Sequence, residues 1–177
     1  MYILSQVLVV ISDLFLILSM LCSKKKRVVI FLILSTIFFA SHYICLSGWT
    51  GASLAGIEIA FLIIMYLLET KGKEKYNIYL SICTIILSII LSIVTWDGWI
   101  SLLPMFAMVI YLLGMIFTNL VIVKTGTFVR LILNATYMVL LKSYLGAGLT
   151  IVILIFTIIG IVKDYKNKKL GDVRDGN

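Results

Sequence analysis

The sequence predicts an all-α integral membrane protein with seven transmembrane helices, arranged as two parallel three-helix repeats joined by a linker helix. Hydrophobic residues make up 62% of the 177 positions and charged residues only 13%, whereas a soluble domain carries about 25% charge. A sequence pattern also recurs after 95 positions, and the basic residues cluster at alternate connections between apolar segments. These three observations together predict the class, the symmetry and the topology.

Apolar segments of spanning length follow one another along the whole chain, and a crossing needs about 20 residues. The predicted segments cover about 2 to 22, 28 to 46, 50 to 69, 76 to 95, 98 to 118, 124 to 141 and 145 to 163. The sixth is the least apolar, because Lys124, Arg130 and Asn134 interrupt it. The first is not a cleavable signal peptide, since its basic cluster follows the apolar run.

The basic residues predict the orientation. Of the 15 Lys and Arg residues, 14 lie in the first and third connections, around the fifth connection, or after residue 161, and seven spans place all four regions on one side. The positive-inside rule assigns that side to the cytoplasm, so the amino terminus is predicted outside and the carboxyl terminus inside. A net charge of +7 spread over helix ends indicates orientation and anionic headgroups rather than nucleic-acid binding.

The repeat predicts the domain organisation. Leu46-x-x-Trp49-x-Gly51-Ala52-x-Leu54 recurs as Leu141-x-x-Tyr144-x-Gly146-Ala147-x-Leu149. The same offset of 95 positions holds downstream, where Glu69 corresponds to Asp164. Both acidic ends are predicted on the same side, so the repeats are parallel and an odd helix must separate them. We therefore predict a first repeat at 1–75, a linker helix at 76–95, a second repeat at 96–163 and a basic cytoplasmic tail at 164–177.

Acidic residues near the middle of predicted spans suggest a functional interior. Asp13 lies in the first helix and Glu58 in the third, and a charged carboxylate at the bilayer centre costs about 2.5–3.5 kcal/mol on insertion scales. Each must face the bundle interior, be protonated or pair with another group. A solute or proton path is one interpretation, and a protonated interhelical hydrogen bond is the other.

Helical spacing gives the first half a polar face on each helix. Ser5, Ser12 and Ser19 repeat every seven residues in the first helix, beside Gln6 and Asp13. His42, one turn from the predicted outer end, titrates near neutral pH, so it either senses pH or contacts a solute, or is simply satisfied by a neighbouring helix.

The second half has lost these ionisable positions. Asp13 corresponds to Met108, His42 to Tyr137 and Glu58 to Ile153. The second half instead offers polar residues on its sixth segment, of which Asn134 and Tyr137 are included with Asp13, His42 and Glu58 in the predicted solute or proton path.

Three further features have two interpretations each. The linker has a regular polar row, Asn77, Ser81, Thr84, Ser88, Ser92 and Thr95, which predicts a helix–helix interface, or otherwise part of the path. Pro104 is either a hinge or fixed packing geometry. Gly51 and Gly146 permit close helix approach, or form a gate.

The sequence contains no motif of an enzyme or of a metal or cofactor site. One histidine and three cysteines without paired spacing do not make a metal site, and neither a nucleophile elbow nor a phosphate or dinucleotide loop is present. We expect a non-enzymatic protein without catalytic residues or cofactors.

Two short motifs indicate a family. His42-Tyr43-x-x-Leu46-x-Gly48-x-x-Gly51-Ala52, followed by Leu102-Leu103-Pro104, resembles the YgjV-type bacterial inner-membrane protein family over most of the chain. This resemblance implies the bacterial plasma membrane and brings no binding residues with it. The 3+1+3 plan resembles the SWEET and PnuC-type transporters, and Trp96-Asp97-Gly98-Trp99 is similar to the Trp-x-x-Trp pattern of the latter, unless it is an interfacial aromatic belt.

The leading functional hypothesis is a transporter or facilitator of a small polar solute that works by alternating access between the two repeats. The alternative is a non-transporting membrane module that binds a partner protein or lipid through helix faces and its basic tail. The expected partners are the lipid bilayer and the solute, without nucleic acid, and a homo-oligomer is compatible with both hypotheses.

Overall fold

The computed structural model describes residues 2–96, 98–117 and 119–174 and is all-helical over them. Asp97, which belongs to the predicted aromatic motif, lies outside the described residues, as do Met1, Thr118 and 175–177. The helices are α1 (Tyr2–Leu21), α2 (Lys25–Cys45), α3 (Trp49–Thr70), α4 (Asn77–Val94), α5 (Leu102–Met115), α6 (Leu120–Leu140) and α7 (Tyr144–Arg174). The predicted all-α fold is confirmed.

Six of these helices are long and apolar enough to cross a membrane, and α6 is the least hydrophobic of the six. The fifth element is shorter than its predicted range of 98 to 118. A 3-10 turn, Trp99–Ser101, precedes α5, and turn and helix together cover Trp99–Met115. Gly98 precedes the turn with φ of 77°, a left-handed conformation that glycine adopts without strain and that separates α5 from α4.

The last helix is longer than predicted, because α7 continues to Arg174 instead of ending near 163. Residues 164–170 contain neither proline nor glycine, so no helix-breaking residue ends the helix near 163. The segment predicted as a basic tail is therefore helical as far as it is described.

Two groups of three helices are packed in the same way. In the first half, α2 contacts both α1 and α3, and in the second half, α6 contacts both α5 and α7. The halves meet through α1 against α7 and through α3 against α5, while α4 packs on α3 and α5. The largest buried apolar cluster includes Met20, Leu62, Met65, Tyr111 and Leu112, so side chains from both halves form one core.

The outer faces of the helices carry exposed Ile, Leu and Val side chains, such as Ile3, Val94 and Ile151. Such surfaces suit hydrocarbon, since lipid tails are as apolar as these side chains. The α1–α2, α3–α4 and α5–α6 connections lie at one end of the bundle. We call it the basic end, because most lysines and arginines lie in or beside those connections.

The duplicated sequence has a duplicated backbone. At the α2–α3 connection, Ser47 has φ of 58°, and at the α6–α7 connection, Lys142 has the same φ. The N–H of the following residue donates to a carbonyl five residues back in both turns, from Gly48 to Tyr43 (2.9 Å) and from Ser143 to Met138 (2.8 Å). This is the Schellman arrangement for ending a helix, so both halves reverse direction by one mechanism.

The polar row on α4 is buried, as the interface interpretation predicted. Asn77, Ser81, Thr84, Ser88 and Ser92 are all less than 7% exposed. Thr84 and Ser92 donate to carbonyls of their own helix, and the Asn77 amide donates to Glu69 at 3.3 Å. The linker therefore presents its hydroxyl side to α3 and α5 and its isoleucines outward.

Candidate functional site

A charged pair lies in the middle of the bundle and joins the two halves. Glu58 belongs to α3 and Arg130 to α6, and both guanidinium NH2 groups donate to the carboxylate, Nη1 to Oε1 and Nη2 to Oε2, the latter at 2.7 Å. The Glu58 side chain is 2% exposed and the Arg130 side chain 14%. Two parallel bonds between planar groups form the strongest type of side-chain ion pair.

Neighbouring helices complete the surroundings of the pair. The Thr36 hydroxyl of α2 lies 3.4 Å from Glu58 Oε1, and the Tyr111 ring of α5 stacks on the guanidinium, with Cζ 4.4 Å from the ring centre. An aromatic face attracts a cation. Four helices thus converge on one carboxylate and one guanidinium.

The position of Arg130 corrects one part of the sequence interpretation. The sequence groups it with Lys124 among the basic residues around the fifth connection, but it lies in the middle of α6 and is paired inside the bundle. It therefore carries no information about orientation. Of the options predicted for Glu58, pairing is the one observed.

Two small cavities flank this pair. The volume in which the centre of a water molecule fits is about 30 Å³ in the first cavity and about 20 Å³ in the second. Each cavity therefore has room for about one or two waters. Arg130, Asn134 and Phe39 line both cavities. Hydroxyl groups from both halves line the first cavity, namely those of Ser12, Ser35, Thr36, Thr127 and Thr150. Both cavities therefore lie between the halves, and polar and apolar side chains line them together.

The cavities bring together only some of the residues predicted for the path. Glu58 lines the second cavity and Asn134 lines both, and Gly51 and Pro104 also line the second. Asp13, His42 and Tyr137 line neither cavity. Pro104 lies in the first turn of α5, where a missing N–H breaks no helical hydrogen bond, so its role as a hinge stays a prediction.

His42 is enclosed by its neighbours. It has no exposed surface, its Nδ1 lies 2.9 Å from the Ser5 carbonyl oxygen and 2.8 Å from the Ser5 hydroxyl, and Phe39 stacks beside its ring. Because a carbonyl only accepts hydrogen bonds, Nδ1 carries the hydrogen. Tyr137, its counterpart in the second half, is also buried. The Tyr137 and Tyr43 rings are in an edge-to-face arrangement, with 5.8 Å between the ring centres.

The serine row of α1 explains why His42 lies outside the cavities. Ser5 contacts His42, Ser12 donates to the Ser35 carbonyl at 2.9 Å, and Ser19 donates to the Val28 carbonyl at 3.1 Å. The row therefore bonds α1 to α2 along its whole length. Only its middle member, Ser12, also reaches a cavity.

Asp13 is buried at the other contact between the halves. Its side chain is 5% exposed, and its Oδ2 has no hydrogen-bond partner among the described residues. It shares a face of α1 with Val9 and Met20, which pack close to Ala147 and Gly160 of α7. Asp13 thus lies on the α1–α7 side of the bundle, whereas the Glu58–Arg130 pair lies between α3 and α6.

Two lysines near the basic end connect the halves in a symmetric way, beside a third, Lys163 of α7, which donates to the Leu21 carbonyl of α1 at 3.3 Å. In the first lysine bridge, Lys25 of α2 pairs with Glu69 of α3 at 2.7 Å and donates to the Phe117 carbonyl at the end of α5 at 3.3 Å. In the second lysine bridge, Lys124 of α6 pairs with Asp164 of α7 at 2.6 Å and donates to the Cys22 carbonyl after α1 at 3.0 Å.

The two lysine bridges are related by the repeat. Glu69 and Asp164 are 95 positions apart, as are Cys22 and Phe117. Each half thus supplies one lysine and one carboxylate, and it places the ammonium on the carboxyl end of a helix in the other half, where the helix dipole favours a cation. The sequence showed the matching acids, but not the lysines that bind them, because Lys25 and Lys124 are not repeat counterparts.

The repeated glycines allow close packing at the opposite end. A Cβ on Gly51 would lie 2.9 Å from the Tyr43 ring, and one on Gly146 would lie 3.0 Å from Met138 Sδ. Tyr43 and Met138 are again 95 positions apart. The same contact is therefore built twice, once against a rigid ring and once against a flexible thioether.

We expect Gly51→Ala to reduce the free energy of unfolding by about 1–3 kcal/mol, because the added methyl group overpacks a ring that cannot bend away. Gly146→Ala should cost less, since methionine adapts its rotamer. Gly148→Ala is the matched control, because no atom outside its own helix backbone lies within 4 Å of the added Cβ. Denaturant titration of the three variants measures these differences, and equal losses in all three would contradict the packing account.

The described residues do not form a metal site, since no three His, Cys, Asp or Glu side chains among them are grouped to hold an ion. In comparisons with known proteins, the family model Imp-YgjV, described as a bacterial inner membrane protein, matches residues 3–168. No curated protein and no solved structure matches the chain.

Proposed function

The chain belongs to the Imp-YgjV family of bacterial inner membrane proteins, and from this premise we propose that it is a transporter or facilitator of a small polar solute. Transport would occur by alternating access between the two halves, with the amino terminus outside the cell. The proposed role is not enzymatic.

The observation that carries the proposal is the Glu58–Arg130 pair with its two cavities. Charged groups inside a membrane are costly and commonly mark a solute or ion pathway. In this protein each half contributes one of the two charges, and both cavities lie beside them. Parallel-repeat transporters bind solutes near the midplane at the interface between their repeats.

The lysine bridges indicate which contacts must break when the path opens. In the described conformation they connect the halves at the basic end, while the cavities are only large enough for a few waters. An arrangement of this kind corresponds to a closed path. Opening toward the basic end would require the bonds from Lys25 to Phe117 and from Lys124 to Cys22 to separate, while each lysine keeps its carboxylate within its own half.

One observation favours the alternative of a non-transporting module. The serine row of α1 is hydrogen-bonded to α2, and the polar row of α4 is buried where α4 packs on α3 and α5, which is what a rigid membrane scaffold requires. The two hypotheses differ in one respect: a transporter exposes the space beside Arg130 to water in some of its conformations, and a rigid scaffold does not.

Cysteine labelling distinguishes the two hypotheses. In a background without Cys22, Cys45 and Cys83, Asn134→Cys places a thiol at the wall of both cavities. We expect a water-soluble thiol reagent to modify it. Ser19→Cys is the matched control, because Ser19 has no exposed surface, bonds to α2 and lines neither cavity. Equal protection of both thiols would reject a path.

A further inference from the structure

The two members of the central pair would behave differently if the halves separated. An arginine keeps its proton throughout the physiological pH range, whereas a glutamate is neutralised by a single proton. Separation of the pair inside the membrane would therefore leave a permanent cation on α6, but not necessarily an anion on α3. Arg130 faces both cavities, while Glu58 lines only the second.

A cation left in this position needs a new anion, because an unpaired buried charge is strongly destabilising. The guanidinium is already arranged to hold a planar group with two oxygens, since it binds the Glu58 carboxylate through Nη1 and Nη2. A carboxylate from solution has the same geometry and reproduces the same two bonds.

From this asymmetry, and resting on the proposed function, we infer that the solute is a small monocarboxylate that binds Arg130 in place of Glu58, while Glu58 takes up one proton. One anion and one proton enter together, so the net charge of the site does not change. The only covalent change is the new O–H bond on Glu58, whose proton comes from the aqueous solution.

The walls of the first cavity suit such a ligand. The hydroxyls of Ser12, Ser35 and Thr127 and the amide of Asn134 offer hydrogen bonds to carboxylate oxygens or to a hydroxyl on the adjacent carbon, and Leu16, Phe39 and Leu131 provide an apolar side. The limited volume restricts the ligand to few non-hydrogen atoms unless the halves move apart.

Few charged or titratable side chains surround Glu58. Arg130 of α6 is the charged group that contacts the carboxylate, and Tyr111 of α5 and Tyr43 of α2 are the nearby titratable groups. The helix α4, which also packs on α3, contains no Asp, Glu, Lys, Arg or His. Weakening the bond to Arg130 is therefore the event that lets Glu58 accept a proton, and an incoming anion does this.

The test is thermal unfolding of the purified protein in detergent with sodium lactate, the neutral isostere lactamide, or choline chloride at matched ionic strength. A bound ligand raises the apparent Tm by mass action. We expect lactate to raise it and the other two to have no effect. Because binding takes up one proton, the apparent Kd for lactate should fall about tenfold for each pH unit of acidification.

Two variants make the inference specific. In Glu58→Gln the carboxamide imitates the protonated acid, so lactate should bind at least as tightly as in the wild type at low pH, and its binding should no longer depend on pH. In Glu58→Gln/Arg130→Gln both charges are absent, and the lactate response should be lost. The pH series on the wild type carries the test if the single variant does not fold.

Stabilisation by lactamide equal to that by lactate, or a lactate response that persists in the double variant, would overturn the inference. Failure of the proposed function looks different. If Asn134→Cys reacts with thiol reagents but lactate does not bind, the path remains and the monocarboxylate is rejected. If Asn134→Cys stays protected, the path itself is rejected.

Discussion

Arg130→Gln should lower the free energy of unfolding by about 3–5 kcal/mol, because it leaves the Glu58 carboxylate buried without its counter-charge. Glu58 is 2% exposed, and the Thr36 hydroxyl at 3.4 Å does not replace two bonds from a guanidinium. The measurement is denaturant unfolding of the purified protein, followed by helical circular dichroism.

The matched control for this substitution is the double variant Glu58→Gln/Arg130→Gln. It removes both charges, so most of the lost stability should return, and a double-mutant cycle then gives the coupling free energy of the pair. If the double variant were as unstable as the sum of the two single variants, the two residues would not act as a pair, and the described geometry would not be the one that stabilises the protein.

Lys124→Gln is expected to cost about 3 kcal/mol, because it removes the counter-charge of a buried carboxylate. Lys124 has no exposed side-chain surface and Asp164 is 7% exposed, so little water is available to replace the ammonium. The substitution also frees the Cys22 carbonyl, which loses its bond at 3.0 Å. Thermal or denaturant unfolding measures the effect.

The chain itself supplies the control in the first lysine bridge. Lys25→Gln should cost less than Lys124→Gln, because Lys25 starts a helix, its side chain is 14% exposed and Glu69 keeps the Asn77 amide at 3.3 Å. A larger loss for Lys25 than for Lys124 would contradict the assignment of the second lysine bridge as the more deeply buried contact between the halves.

The sequence predicted local and repeated features well. Helix number and type follow from the apolar segments, the interface on α4 follows from the spacing of its hydroxyls, and the equivalence of the two turns follows from the 95-residue repeat. These features depend on neighbouring residues in the chain or on copies of one pattern. Both kinds of information can be read directly from one sequence.

Contacts between different helices were harder to predict. Glu58 and Arg130 are 72 positions apart and are not repeat counterparts, so no spacing rule connects them. The observation that could have suggested the pair is physical: a carboxylate in the middle of one span requires a partner, and Arg130 is a cation near the middle of another. Helical periodicity placed Ser5 and His42 on polar faces, but it could not show that these faces meet each other instead of a cavity.

The most direct test of a path between the halves is to determine from which side of the membrane the thiol of Asn134→Cys can be labelled. Membrane vesicles of both orientations, in the background without native cysteines, are treated with a thiol reagent that does not cross lipid. Alternating access predicts labelling from both faces, in separate preparations, with Ser19→Cys unlabelled from either. Labelling of Asn134→Cys from neither face, or from one face only, would contradict the account.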